Sequence, residues 1–74
     1  MPDAEWTPQR IANLRVQNAL THDEFGYIVG CNGKTVRSWE LGDRAPSLAS
    51  RLLMEQLLDP VLLKHHMKRL KERF

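Results

Sequence analysis

Residues 20–42 read LTHDEFGYIVGCNGKTVRSWELG, and this stretch decides the fold. Thr21 and Glu24 have the T-x-x-E spacing of a capping box, which marks a helix N-terminus. Gly30 is positioned to end that helix, because glycine accepts the left-handed conformation of a helix C-cap. Asn32 can cap a second helix, which Gly42 ends. The stretch therefore predicts two short helices joined by a tight turn.

The flanking sequence predicts further helices and contains no strand pattern. Thr7 precedes Pro8 in a cap-then-proline start, and Asp59 precedes Pro60 in the same way. Ser47 caps a helix in which leucines recur at helical spacing. Those leucines are Leu48, Leu52, Leu53 and Leu57. We predict an all-α fold of four to five short helices with short connections.

Size and composition restrict the class of protein. With 74 residues and a net charge of +2, the chain is expected to form one domain over residues 1–74. Its core would span about residues 8–58, followed by a helix over about residues 60–74. A single cysteine, Cys31, excludes an internal disulfide and fits a reducing compartment, so we expect a cytoplasmic protein. No apolar run approaches the roughly 20 residues of a membrane span, and the N-terminal residues are not typical of a secretory signal.

Enzymatic function is not expected. The sequence has no nucleophile–base arrangement, no carboxylate pair placed for acid–base chemistry and no glycine-rich phosphate loop. One cysteine and the adjacent histidines His65 and His66 do not provide a metal-ligand pattern. We therefore predict a binding protein without cofactor or metal.

The second helix of the pair has two different faces. Val36 and Trp39 are three residues apart and can anchor the helix to a core. The residues on the opposite side are Gly33, Lys34, Arg37 and Ser38. The major groove of DNA accepts one α-helix, and a basic side chain can donate to O6 and N7 of guanine. Arg37 suits this contact best because its guanidinium is a rigid fork, although Lys34 and Arg37 are also compatible with ordinary solvated charges.

The set Leu20-Thr21, Glu24-Phe25, Gly30, Thr35-Val36, Trp39-Glu40 and Gly42 resembles the helix-turn-helix of the phage Cro and repressor family, also called the xenobiotic-response-element family. The resemblance extends over about residues 11–53. It implies a small lambda-repressor-like domain that binds operator DNA as a dimer. Three departures are His22, where a glutamine is common, Gly33, where a polar residue that reads bases is common, and Gly26, where a small alanine is usual. A glycine at that helical position is expected to weaken the helix by about 0.5–1 kcal/mol.

The resemblance also implies roles for individual residues. Base contacts are implied for Asn32, Gly33, Lys34, Arg37 and Ser38. Phosphate contacts are implied for Thr21, His22, Thr35 and Arg44. A structural ion pair between Arg15 and Glu40 is implied as well.

The C-terminal helix has an apolar stripe and a basic face. The stripe consists of Leu63, Met67, Leu70 and Phe74. It can pack back on the core or bury itself against a second copy, and we favour dimerisation. The basic face is either solvated or makes non-specific phosphate contacts.

Together these observations predict a transcriptional regulator, most simply a dimeric repressor that binds an inverted-repeat operator in double-stranded DNA. Phage regulators, antitoxins and anti-CRISPR-associated autorepressors would all fit. The alternative is a protein-interaction module, such as an antitoxin whose C-terminal helix binds a toxin.

Overall fold

The computed structural model describes residues 5–74, which form five α-helices and no strand. The helices are α1 (Pro8–Gln17), α2 (His22–Val29), α3 (Gly33–Leu41), α4 (Leu48–Gln56) and α5 (Pro60–Arg73). The predicted all-α class is confirmed. Residues 1–4, which belong to the predicted domain of residues 1–74, lie outside the described residues.

Each helix begins at the residue that its capping chemistry predicts. The caps, all with a side-chain oxygen that accepts a backbone N–H of the first turn, are Thr7, Thr21, Asn32, Ser47 and Asp59. The capping box of α2 is complete: the Glu24 N–H donates to Thr21 Oγ1 at 3.1 Å, and the Thr21 N–H donates to Glu24 Oε1 at 2.8 Å. Gly30 and Gly42 end α2 and α3 with φ angles of 84° and 82°. Local chemistry thus determines where the helices start and stop.

The turn after α2 packs directly against Gly26. A Cβ atom at this position would lie 2.7 Å from the Cys31 carbonyl oxygen and 2.8 Å from the Asn32 carbonyl carbon. Such contacts with backbone atoms require the turn to move. The absence of a side chain at Gly26 therefore lets the turn close on α2, and this outweighs the low helix propensity of glycine.

The core centres on α2 and α3, with α1, α4 and α5 packed around them. Phe25 and Val36 are fully buried, and Trp39 is 3% exposed. The other apolar residues of the core are Trp6, Ile11, Leu14, Leu20, Ile28, Val29, Met54, Leu57 and Leu70. Because α3 contributes only Val36 and Trp39 of these side chains, its remaining surface is available for another purpose.

The leucines that recur along α4 do not all face the core. Leu48 and Leu52 are 63% and 53% exposed, whereas Met54 is fully buried and Leu57 is 3% exposed. The hydroxyl of Ser50 donates to the Val29 carbonyl oxygen at 2.9 Å. This buried hydrogen bond satisfies a carbonyl at the end of α2 and turns Ser50 inward, so the first two leucines of α4 turn outward.

The stripe on α5 that we expected at a dimer interface largely packs on the core of its own chain. Leu70 is 5% exposed, and Leu63 and Met67 pack against the buried cluster. Phe74 is 64% exposed and meets the ring of Tyr27 edge-on, with centroids 5.8 Å apart. Leu70 is therefore buried within its own chain, Leu63 and Met67 are partly buried, and Phe74 is the most exposed member of the stripe, so its role in dimerisation remains a prediction.

Within residues 5–74, no helix combines the length and the apolar character that a membrane crossing requires.

Candidate nucleic-acid interface

The outer face of α3 presents two cationic side chains. Lys34 and Arg37 are exposed, while Val36 and Trp39 on the inner face are buried. Ser38 lies between the faces and is half-buried. Its hydroxyl donates to the Lys34 carbonyl oxygen at 3.2 Å, which leaves Ser38 as an acceptor toward any ligand. Lys34 and Arg37 are therefore the free donors that this helix offers.

Asn32 and Thr35 form the start of α3. The Thr35 N–H donates to Asn32 Oδ1 at 2.8 Å, so this amide oxygen serves as the helix cap. Asn32 is exposed, and its Nδ2 group remains a donor at the N-terminus of the helix. Thr35 is half-buried. The amide nitrogen of Asn32 is thus added to the donors of Lys34 and Arg37, and the phosphate contact of Thr35 remains a prediction.

Gly33, for which a base contact is expected, packs closely against the first turn of α2. It is buried, and a Cβ atom there would clash with Asp23 Oδ1 and lie 2.9 Å from the Asp23 backbone nitrogen. Because Gly33 has no side chain, the first turn of α3 can pack directly against the first turn of α2. Its contribution is close packing, which no other residue allows without displacing Asp23.

An open depression of about 420 Å³ lies where α2 and α3 begin. It is lined by His22, Gly33, Lys34 and Arg37. Four of the residues predicted to contact nucleic acid are thus brought together, and one of them is the buried Gly33. Thr21 is exposed beside His22, where its hydroxyl caps α2. The depression therefore presents the cationic side chains of Lys34 and Arg37, while the carboxylates of Asp23 and Glu40 lie against its other two lining residues, Gly33 and His22.

Arg44 lies apart from this depression. It is exposed in the loop between α3 and α4 and lines a different hollow of about 240 Å³ with Trp6 and Trp39. Its distance along the chain from Arg37 places it beyond the C-terminus of α3. A contact with a more distant phosphate remains a prediction for Arg44.

Arg15 and Glu40 join α1 to the end of α3. Arg15 Nε donates to Glu40 Oε2 at 2.7 Å and Nη2 donates to Oε1 at 3.0 Å. The two side chains are 16% and 11% exposed. Burial opposes ionisation of Glu40, but hydrogen bonds from Arg15 and His22 outweigh it and hold the pKa of Glu40 below its ordinary value. Arg15 Nη1 also donates to the Leu20 carbonyl oxygen at 3.1 Å, so the connection between α1 and α2 belongs to the same hydrogen-bond network.

His22 extends this network through a contact with Glu40. The sequence did not indicate this contact, although the resemblance implied the pair of Arg15 and Glu40. The Nε2 atom of His22 lies 3.2 Å from Glu40 Oε1. The two residues are 18 positions apart, and only the packing of α3 against α2 brings them together. No local sequence signal indicates the contact.

The basic C-terminal face is partly organised around an aromatic residue of α2. The guanidinium carbons of Arg69 and Arg73 lie 6.0 and 5.9 Å from the ring centroid of Tyr27. These distances are within the range of cation–π attraction. Sequence reasoning did not indicate Tyr27, because the contact depends on how α5 crosses α2.

Cys31 and the acidic and histidine residues form no metal site within the described part of the chain. Cys31 is half-buried in the turn, and burial raises the pKa of its thiol. The raised pKa keeps the sulfur protonated and unreactive near neutral pH.

Comparisons with protein-family models, with curated proteins and with solved structures found no match to this chain.

Proposed function

We propose that this chain is a sequence-specific DNA-binding regulator in which α2, the turn and α3 act as a helix-turn-helix of the Cro and repressor type. One observation carries the proposal: α3 is fixed from behind by Val36 and Trp39 and turns Lys34 and Arg37 outward beside His22. A DNA-reading helix needs this combination, because the base edges discriminate only if the helix that meets them is held rigidly.

Each side chain of the depression has a role in this proposal. Arg37 donates in a bidentate manner to a guanine, and Lys34 donates to a neighbouring base or phosphate. Asn32 contributes its amide nitrogen at the N-terminus of α3. His22 and Thr21 contact the DNA backbone at the start of α2, where backbone N–H groups favour an anion. Gly33 has no base contact in this proposal.

The regulator acts as a homodimer on an inverted repeat. A two-fold dimer places two α3 helices about 34 Å apart in successive major grooves. Occupation of such an operator excludes polymerase sterically and represses transcription without a further domain. Control then comes from the concentration of the protein or from a partner that sequesters it.

Selection of bound duplexes from a random DNA pool tests the proposal. We expect enrichment of a two-fold symmetric sequence with the purified wild-type chain, and none with a Lys34→Ala/Arg37→Ala variant. Both substitutions lie at exposed positions, so the variant should keep the unfolding midpoint of the wild type. Equal enrichment by both proteins, or no enrichment by either, contradicts the proposal.

A second candidate is a protein-interaction module, and the corner between α4 and α5 favours it. Leu58, Val61 and Leu62 are 55%, 75% and 38% exposed at this corner. Clustered exposed apolar residues are typical of interaction surfaces. The surface fits a second copy of the chain or a protein partner such as a toxin.

Light scattering on a Val61→Glu variant separates these two uses of the corner. If the corner joins two copies, a dimeric wild type should become monomeric and lose operator affinity in the variant. If the corner binds a different protein, the oligomeric state and the operator affinity should both stay as in the wild type.

A further inference from the structure

His22 lies between a buried carboxylate and the open depression. Nε2 of its ring is 3.2 Å from Glu40 Oε1, while the same side chain is 38% exposed and lines the depression with Lys34 and Arg37. The ring thus connects the structural ion pair to the surface that we propose contacts DNA.

Glu40 determines which ring nitrogen carries hydrogen. Its carboxylate accepts two hydrogen bonds from Arg15, at 2.7 and 3.0 Å, and is 11% exposed. An ionised carboxylate only accepts hydrogen bonds, so Nε2 of His22 must be the donor in their contact. The lowered pKa of Glu40 supports its ionised state. In the neutral ring Nδ1 is then the unprotonated nitrogen.

The two protonation states of His22 therefore meet an anion differently. With hydrogen on Nε2 alone, Nδ1 presents a lone pair, which a phosphate oxygen cannot use. The imidazolium carries hydrogen on both nitrogens and can donate to Glu40 and to a phosphate at once. The glutamine that is common at this position in the resembling family has no such dependence, because its amide is a donor at every pH.

We propose that His22 contacts a DNA phosphate only as the imidazolium, bridging Glu40 and the phosphate, so that operator binding takes up one proton at His22. The inference rests on the proposed DNA-binding function and adds a regulation of the same site. A proton from the solvent bonds to Nδ1 of the neutral imidazole, and the new N–H group donates to the phosphate, so protonation and phosphate binding are one linked equilibrium.

The charges around His22 come from three helices. The cationic groups are Arg15 on α1 and Lys34 and Arg37 on α3. The carboxylates are those of Glu40 on α3 and of the neighbouring Asp23, which packs against Gly33. A DNA phosphate placed in the depression adds a negative charge to this set, and it therefore favours the charged ring in the complex.

The affinity for the selected duplex should be measured by fluorescence anisotropy at constant ionic strength across the range in which an imidazole titrates. Wild-type affinity should rise roughly tenfold from about pH 8.5 to about pH 5.5, as expected for gain of a charge-assisted hydrogen bond. His22→Gln should bind with nearly constant affinity over this range. His65→Gln, at an exposed position of α5, is the matched control and should keep the wild-type pH dependence.

Two further measurements show whether a change in affinity with pH reflects His22 or unfolding of the protein. Circular dichroism at each pH establishes that both variants remain folded. The NMR titration of the His22 ring should show its protonation at higher pH with the duplex than without it.

The possible failures are distinguishable. A His22→Gln variant with the same pH dependence as the wild type overturns the proton uptake at His22, while duplex binding itself still supports the proposed function. If no duplex binds at any pH, the proposed function fails, and the inference fails with it.

Discussion

The α2–α3 region, residues 21–42, and the α4–α5 region, residues 47–74, are built by the same capping chemistry but expose different surfaces. In α3 the apolar residues Val36 and Trp39 are buried and the exposed face carries Lys34 and Arg37. In α4 the exposed face carries Leu48 and Leu52. Capping residues thus determine the limits of a helix, whereas the face that is buried depends on the helices that pack against it.

The largest expected effect tests the network that fixes α3. Arg15→Met leaves the carboxylate of Glu40 largely buried without its main partner, and loss of one partner of a buried pair should lower the free energy of unfolding by about 3–5 kcal/mol. Arg37→Met, at an exposed arginine of α3, is the control and should change it by less than about 0.5 kcal/mol. Urea unfolding of both variants provides the comparison. Equal stability of the two would show that the pair does not hold α3.

The same pair predicts how stability depends on acid. Because the pKa of Glu40 is lowered from its ordinary value of 4.5, its contribution is present above that pH and lost as the pH falls below it. The Arg15→Met variant should lose less stability than the wild type over this range.

The next effect tests which face of α4 is buried. Leu57→Ala removes a side chain that is 3% exposed and should cost about 2–4 kcal/mol, whereas Leu48→Ala, at a residue 63% exposed, should cost less than about 1 kcal/mol. Both substitutions delete the same atoms, so thermal unfolding compares burial alone. A reversed order would contradict the burial of Leu57 and the exposure of Leu48.

Gly26→Ala tests the contact between α2 and the turn. Helix propensity alone predicts a gain of about 0.5–1 kcal/mol, but the Cβ atom would lie 2.7 Å from the Cys31 carbonyl oxygen. We expect a net loss of about 1–2 kcal/mol from this overpacking. The pair Lys64→Gly and Lys64→Ala, at an exposed position of α5, measures the propensity difference by itself. A Gly26→Ala variant more stable than the wild type would exclude the steric role.

A smaller effect concerns the contact between α4 and α5. His66 is 6% exposed and lies 2.8 Å through Nε2 from Gln56 Oε1. Burial lowers its pKa from 6.5, with smaller contributions from the charges of Arg69 and His65. The unfolded chain therefore takes up a proton before the folded chain does, and stability should fall as the pH drops below 6.5. His66→Gln should reduce this dependence in urea unfolding between about pH 7 and about pH 5, whereas His65→Gln should retain it.

Much of the fold was predictable because its determinants are local. Thr21, Glu24, Gly30 and Asn32 act within a few residues of themselves, and the helix limits follow from them. The same holds for the outward direction of Lys34 and Arg37, since Val36 and Trp39 fix the phase of α3.

The remaining features depend on contacts between distant residues. Helix packing determines three such contacts. They are the close packing of Gly33 against Asp23, the hydrogen bond between His22 and Glu40, and the hydrogen bond from Ser50 to the Val29 carbonyl oxygen. Periodicity cannot distinguish a leucine that meets a core from one that meets solvent. Sequence reasoning therefore predicted the cationic residues of the candidate site, but it did not indicate that Gly33 packs against Asp23 or that His22 contacts Glu40.

The most direct test of the central claim compares Arg37→Ala with Arg51→Ala on the duplex selected by the wild-type chain and on its single-base variants. Arg37→Ala should weaken binding to the selected duplex by about 1–3 kcal/mol and relax the preference at one base pair of each half-site. Arg51→Ala, at an exposed arginine of α4, should leave the base preference unchanged. Arg37→Ala binding with an unchanged base preference would contradict the claim that the outer face of α3 reads DNA sequence.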